Sequence, residues 1–263
     1  MVAALIGLKG DRMRIATIYR YPVKTLTAEP LPHTRLQRNQ AIPGDRRFAF
    51  AHADCGFDPA APSWRSKREL LCLARTPDAI SLRAQYDDST DLLTLIAADG
   101  GMITASPLSP DGAASLAAFA ATALPGAKLS ALRLISAESI SFTDQPEPLI
   151  SLIGLPSLHA LEAATGAPRD PLRFRANLYL ENLAPWAEFD WIGQRLTIGE
   201  AVLEITERID RCAATGLNPA TGARDANPVH ELLTHVGHSD CGVFARVIAA
   251  GRIAPGDAVR LQP

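Results

Sequence analysis

RIDRCAATGLNPATG, residues Arg208–Gly222, follows directly on an apolar-rich run, AVLEITERID (Ala201–Asp210). Val202, Leu203 and Ile205 in that run predict a half-buried strand. Asn218, Pro219 and Gly222 predict a turn beyond it. Cys212 therefore falls just past a strand end, where side chains can face a cleft. Arg208 and Arg211 flank it, and guanidinium charge beside a thiol favours the thiolate, the form that attacks electrophiles or ligates soft metals. The same guanidiniums can grip phosphate. The competing reading is a packed, inert thiol, because free cysteine is among the most buried residue types.

Upstream, DPLRFRANLYL (Asp170–Leu180) alternates from Phe174 to Leu180 and predicts a strand with Arg173, Arg175 and Asn177 on one face. Two guanidiniums and an amide on one face are costly in a dry core unless they meet an anion or carboxylates. Both readings, anion site and internal salt-bridge cluster, stay open. Near the other end of the chain, Arg14–Tyr19 predicts a strand stopped by Pro22, with Lys24 in the following loop, where a solvated lysine is the default. Asp45, Arg46 and Arg47 stand where a strand over Arg47–Ala51 begins; side chains alternate across a strand, so either arginine can face a ligand. Thr143 and Asp144, ahead of Pro146 and Pro148, read as a turn or cap. His235, His238, Asp240 and Cys241 lack metal-ligand spacing, so the histidines are expected to border a cleft mouth and Cys241 to be packed.

The remaining pattern is one of short strands punctuated by turns: Leu31–Leu36, Leu71–Ala74, Ile80–Gln85, Asp91–Ile96, Leu132–Ile135, Leu149–Ile153, Val243–Ala249 and Ala258–Leu261. Arg195–Ile198 and Ala201–Ile205 pair through Gly199 and Glu200. Helices are predicted over Ser115–Leu124, ending before Pro125 and Gly126, from Pro156 to a stop at Gly166, and over Asn227–Thr234 with Pro228 as first residue. The passage WAEFDW (Trp186–Trp191) reads as a loop with packed aromatics. This is a mainly β chain with a few helices, of the sandwich or barrel kind.

At 263 residues and 47% hydrophobic composition the chain has ample material for a core, in one large or two small domains. A formal net charge of −2 argues against an electrostatic nucleic-acid or membrane partner. Four scattered cysteines (Cys55, Cys72, Cys212, Cys241) carry no CxxC pair, which excludes an iron–sulfur relay and disfavours a disulfide scaffold. The opening MVAALIGLKGDR resembles neither a signal peptide nor a membrane span, so a cytoplasmic protein is expected. Met13 is a second candidate start.

The loop from Arg211 to Gly222 matches RCxxTxxxPxTG, and with YRYPVK (Tyr19–Lys24), GDRRF (Gly44–Phe48), DPLRFRANLYL and HSDCGVFARV (His238–Val247) it resembles the MOSC domain, the C-terminal domain of molybdenum cofactor sulfurases. The resemblance spans nearly the whole chain. It implies a small N-terminal β-barrel-like domain over 14–137, packed on a MOSC-type β-barrel over 138–263, with the ligand between them. It further implies a molybdenum–molybdopterin cofactor: Cys212 ligates the metal, and Lys24, Arg46, Thr143, Arg175, Asn177 and Arg211 contact the phosphate and pterin. Members such as the mitochondrial amidoxime-reducing component and its bacterial counterparts reduce N-hydroxylated compounds. The chain is therefore expected to be an oxidoreductase acting on a small molecule, with electrons from a separate donor protein. Asn218 and Phe244 depart from better-studied members, which carry aspartate and tyrosine there. The alternatives are a sulfur carrier or cofactor-handling protein using a persulfide on Cys212, and a non-catalytic binding module.

Overall fold

The computed structural model describes residues 12–124, 132–138 and 140–262. Residues 1–11, ahead of the second candidate start at Met13, and the helix stop at Pro125 and Gly126 lie outside them. The elements run β1 (Arg14–Arg20), β2 (Glu29–Pro30), β3 (Thr34–Leu36), β4 (Phe48–His52), β5 (Arg83–Asp87), β6 (Leu92–Ile96), β7 (Met102–Ala105) and α1 (Pro110–Ala123). They continue through β8 (Leu132–Ser136), β9 (Ile150–Gly154), α2 (Leu155–Thr165), β10 (Leu178–Glu181), β11 (Arg195–Ile198) and β12 (Ala201–Asp210). The chain closes with α3 (Pro228–His235), β13 (Asp240–Ala249), β14 (Gly251–Ile253) and β15 (Val259–Leu261).

The architecture is mainly β, built on one large curled sheet of eight strands in the order β15-β11-β12-β13-β9-β10-β1-β2. Strand β1 is hydrogen-bonded into this sheet beside β10, although it stands at the opposite end of the sequence. β9 and β10 are parallel, and α2 supplies the crossover that a parallel pair requires. Gly166 stops α2 in the left-handed conformation (φ 69°), its N–H donating to the Glu162 carbonyl. A meander β5-β6-β7, the pair β4-β8 and α1 form a second apolar cluster around Phe48, Phe50, Leu93 and Leu116. α1 begins five residues earlier than the periodicity predicts, because Ser109 caps it by accepting from the Gly112 N–H and Pro110 takes the first position.

Three expectations are corrected. Leu71–Ala74 is not a strand; it follows an isolated bridge between Ala51 and Leu70. The segment after Pro77 turns through a 3-10 helix, Pro77–Ser81, before β5 starts at Arg83. The predicted strand over Phe174–Leu180 begins only at Leu178, because Asp170 caps a 3-10 turn over Pro171–Phe174 and Arg175 takes a left-handed φ of 52°.

Candidate functional site

β12 runs out at Asp210, paired with Asp240 of β13, and the chain reaches Cys212 in extended conformation before a 3-10 turn, Ala213–Gly216. The Cys212 carbonyl accepts from the Thr215 N–H (3.1 Å) and hydroxyl (2.9 Å). Leu217 then plugs into the apolar cluster of the β5-β6-β7 unit, where full burial of a leucine contributes about 1.5–3 kcal/mol. Arg173 braces the loop from the side, donating to the Gly216 carbonyl (3.3 Å) and to Asp225 (2.5 Å), and Asn218 donates to the same carboxylate (2.8 Å). Hydrogen bonds from Asn218 and Arg173 hold the Asp225 carboxyl below its usual range. The loop is thus tied on both flanks while its thiol stays free: Cys212 is exposed, and Cys55, Cys72 and Cys241 are buried.

The arginines beside the thiol have other partners. Arg211 donates through Nε and Nη2 to the Cys241 carbonyl (2.7 and 2.5 Å) and through Nη1 to the Phe174 carbonyl (2.8 Å). Burial lowers its pKa, while Cys241, Tyr179 and Cys212 oppose that lowering. Arg208 lies over the Phe189 ring, 4.3 Å from its centroid.

A second centre lies around Tyr21, which is 1% exposed. The guanidinium carbons of Arg46 and Arg175 stand 4.1 and 4.3 Å from its ring centroid. Arg46 chelates the buried Asp45 carboxylate (2.7 and 2.8 Å) and donates to the Arg175 carbonyl (2.9 Å). Lys24 joins them from the loop after β1: its Nζ donates to the Phe142 carbonyl (2.9 Å) and to Asp144 (2.6 Å). Burial drives the Lys24 pKa below its usual range, Asp144 opposes, and Arg46 and Arg175 push it further down. Burial likewise brings Arg175 down to about 10 and raises Tyr21 to about 12. Thr143 belongs to the strap over Lys24; its hydroxyl donates to the Gln145 carbonyl (2.7 Å) and its carbonyl accepts from Trp64 Nε1 (3.1 Å).

Between the two centres lies a cavity of about 120 Å³, walled by Tyr21, Leu26, Arg173 and Arg175 on one side and by Ala214, Leu217 and Pro219 of the thiol loop on another. The residues expected to share a site are therefore divided. Lys24, Arg46 and Arg175 come together, Thr143 borders them, and Cys212 opens from the neighbouring loop. Two others serve the framework instead. Asn177 is 2% exposed; its Oδ1 accepts from the Ser151 N–H and hydroxyl, and its Nδ2 donates to the Tyr19 carbonyl. Arg211 spends its donors on backbone carbonyls, as described. Nor do Arg173, Arg175 and Asn177 share a face, since the left-handed turn at Arg175 sends them to different partners.

The sequence reading assigned no role to Tyr21 or Glu188. Tyr21 sits inside the YRYPVK motif, which was its one signal. Glu188, 0% exposed, accepts from the Ser157 hydroxyl (2.9 Å) and from Gly154 N (3.1 Å) at the start of α2. Burial raises its pKa, against hydrogen bonds from Ser157 and Gly154 that lower it.

The MOSC domain family model matches residues 139–260. Over those residues, a little under half of its length, the chain carries a MOSC domain, of a family associated with the molybdenum cofactor. Among solved structures it is similar to YiiM from Geobacillus stearothermophilus, at 21% identity over 43% of this chain and 54% of that one, with a TM-score of 0.34. YiiM from Escherichia coli matches at 19% identity over 43% and 54%, TM-score 0.32. The YUAD protein from Bacillus subtilis matches at 11% identity over 95% and 96%, TM-score 0.45. The match spans about half the length of the two YiiM chains. No curated protein matches the chain. No helix among the described residues is long and apolar enough to cross a membrane.

Proposed function

We propose that this chain is a molybdenum-cofactor oxidoreductase that reduces small N-hydroxylated or N-oxygenated compounds with electrons from a separate donor protein. The observation that carries the reading is the gathering of Lys24, Arg46 and Arg175 on Tyr21, beside the loop of the one exposed cysteine, in a MOSC-domain chain. The donor set fits the cofactor chemically. Three clustered cations, of which Arg46 and Arg175 push down the pKa of Lys24, suit a phosphate-bearing, anionic group, and an exposed thiol suits a soft metal. Lys24, Arg46 and Arg175 would hold the phosphate and pterin, and Cys212 the metal. When bound, the group supplies the redox chemistry.

The protein's own part is positioning. Asp45 and the Tyr21 ring orient Arg46, the Leu26 carbonyl orients Arg175 (2.8 Å), and Arg173 with Asp225 keeps the thiol loop in place. The two-unit division at 14–137 and 138–263 is part of this proposal, with β1 contributed to the larger sheet. A sulfur-carrier reading, with a persulfide on Cys212, is favoured by one observation: the enclosed 120 Å³ falls below the ~300–1,000 Å³ of usual ligand pockets, while the thiol is open.

The test is elemental analysis and oxidised-pterin fluorescence on protein from a molybdate-supplied, cofactor-competent host, comparing the unmutated chain with Cys212→Ser. Molybdenum near one per chain, lost or labile in the variant, supports the oxidoreductase and leads to dithionite-driven assays on N-hydroxylated substrates. Protein with no metal and no pterin but a labile sulfur on Cys212 supports the carrier and overturns the first reading. Protein with none of the three leaves a non-catalytic module.

A further inference from the structure

We propose that the outer edge of β8 is a docking slot for an extended peptide segment of a partner protein, apolar on one face and acidic on the other. Among the described residues β8 pairs only with β4. On β4 the Phe48 N–H donates to the Pro22 carbonyl (3.0 Å), and the Phe48 and Phe50 carbonyls accept from the Lys24 and Leu71 N–H groups (2.8 Å each). Those bonds lie on the side away from β8. Ala49 and Ala51 therefore turn their backbone groups to β8, opposite Ile135 and Arg133, and the groups of Leu132, Leu134 and Ser136 point outward. Nothing among the described residues bonds the Leu134 N–H or carbonyl, although Leu134 is only 9% exposed. Such an edge is completed by another strand.

A groove of about 710 Å³ runs along it. All five residues of β8 line the groove, whereas a groove over one face of a strand would meet every second residue. α1 supplies one wall through Ala113, Ala114, Ala117, Ala118 and Ala121, and Phe57 with Pro59 supplies the other. Leu132 and Leu134 share a cluster with Leu116 and Ala120 of α1, and Ile135 shares one with Phe57. An added strand is thus covered on both faces, and the alanines leave room for its side chains on the α1 face. Five residues of it, about 17 Å at 3.4 Å per residue, match the length of β8. Charge selects the other face. Arg133 is the one charged residue in the lining, and it is exposed. Its Nη2 donates to the Cys55 carbonyl (2.5 Å), and no carboxylate among the described residues pairs with it. Arg133 lies on the same face as Ile135 and Phe57, so an acidic guest residue there meets it. Main-chain bonds then give affinity and the alternating side chains give specificity. A second copy of this chain is the poorer guest. Pairing β8 with itself about a two-fold puts both copies of α1 over one edge, where the guest side chains belong. Lys24, Arg46, Arg175 and Cys212 do not line the groove, so the inference is independent of the cofactor reading.

The test is titration calorimetry and amide hydrogen exchange on the full chain with the acetylated, amidated peptide TVDVDVT. Saturable binding with Kd below ~1 mM is expected, with exchange slowed at Leu134 and Ser136. The lysine counterpart TVKVKVT and the proline version TVDPDVT, which lacks the central N–H, should each bind at least tenfold more weakly. Ala118→Phe fills the groove from an exposed position and should remove binding with an unchanged melting temperature. Arg133→Glu should reverse the preference to the lysine peptide. No saturable binding up to ~10 mM overturns the proposal. Equal binding of the three peptides, binding unchanged in Ala118→Phe, or binding that leaves Leu134 exchange as it was overturns it equally. A concentration-dependent dimer of the unmutated chain that Ala118→Phe dissolves also overturns it, because the slot then belongs to a second copy.

Discussion

Replacing Tyr21 by leucine and by phenylalanine separates what its ring does from what its hydroxyl does. The hydroxyl donates to the Ala176 carbonyl at 3.2 Å, a long bond between buried groups, so Tyr21→Phe costs about 1 kcal/mol. Tyr21→Leu loses this bond and also both ring–guanidinium contacts, at 4.1 and 4.3 Å, each worth ~0.5–2 kcal/mol where partly desolvated. It adds roughly 1–2 kcal/mol for unfilled volume at a site that is 1% exposed. The leucine variant should therefore lose about 3–7 kcal/mol in total. At ~2–4 °C per kcal/mol for a chain of this size, the melting temperature falls by roughly 15 °C, against ~3 °C for phenylalanine.

The same pair of variants reports on the site. With the ring gone, Arg46 and Arg175 lose the surface that holds them together, so affinity for inorganic pyrophosphate should fall at least tenfold in Tyr21→Leu and less than twofold in Tyr21→Phe. Scanning calorimetry and titration calorimetry measure the two effects, and a cycle with Arg46→Met should show coupling of about 1 kcal/mol between ring and guanidinium. If phenylalanine is as damaging as leucine, the hydroxyl and not the ring face organises the cluster, and the reasoning fails. Leucine no worse than phenylalanine refutes it from the other side.

Glu188 sets a pH dependence: its folded pKa is raised above the unfolded 4.5, so its contribution is present below 4.5 and lost as pH rises through the folded value. Glu188→Gln, neutral and able to accept the same bonds, should melt at a higher temperature than the unmutated chain at pH 8 and flatten the difference towards pH 4; a variant less stable at pH 8 refutes this. Arg211→Ala leaves the Cys241 and Phe174 carbonyls without their charged donor and should cost on the order of 3 kcal/mol in denaturant unfolding; a loss under about 1 kcal/mol shows that it does not brace the strand ends. Under native conditions a thiol reagent should titrate one group per chain, none in Cys212→Ser, and three more in the unmutated chain after unfolding; fast labelling of a second thiol contradicts the burial of the others.

Local chemistry made part of this legible in the sequence. The end of β12, the turn chemistry of Asn218 to Gly222 and the stop at Gly166 depend on neighbours in the chain, and each appears close to its predicted place. The strand predicted over Phe174–Leu180 shows how such reading fails. Its alternation of charged and apolar residues mimics period two, yet Asp170 and Pro171 just before it carry the competing signal, a capped turn in which the Asp170 carboxylate accepts from Leu172 N at 2.8 Å. Other features depend on partners far along the chain. Lys24 meets Asp144 across 120 residues and Arg46 meets the Arg175 carbonyl across 129, so nothing local marks Lys24 as buried when lysine is ordinarily exposed. Glu188 is hidden in the same way, because its partners Gly154 and Ser157 stand at the head of a helix about thirty residues upstream.

The cost concentrated at the cation cluster bears on why it exists. Arg46 and Arg175 both hold left-handed backbone, at φ 49° and 52°, a conformation that costs a side-chain-bearing residue on the order of 1 kcal/mol. Such strain persists only where the surroundings over-determine it, and here the Tyr21 ring, Asp45 and the bond from Arg46 to the Arg175 carbonyl do so. Repulsion among Lys24, Arg46 and Arg175 adds to the cost, and Asp45 and Asp144 answer it with two negative charges against three positive. Apolar residues of similar volume would fold there more readily. Under the proposed function the imbalance has a use: an anion placed at the cluster supplies the missing negative charge, and the backbone strain keeps the guanidiniums aimed before it arrives.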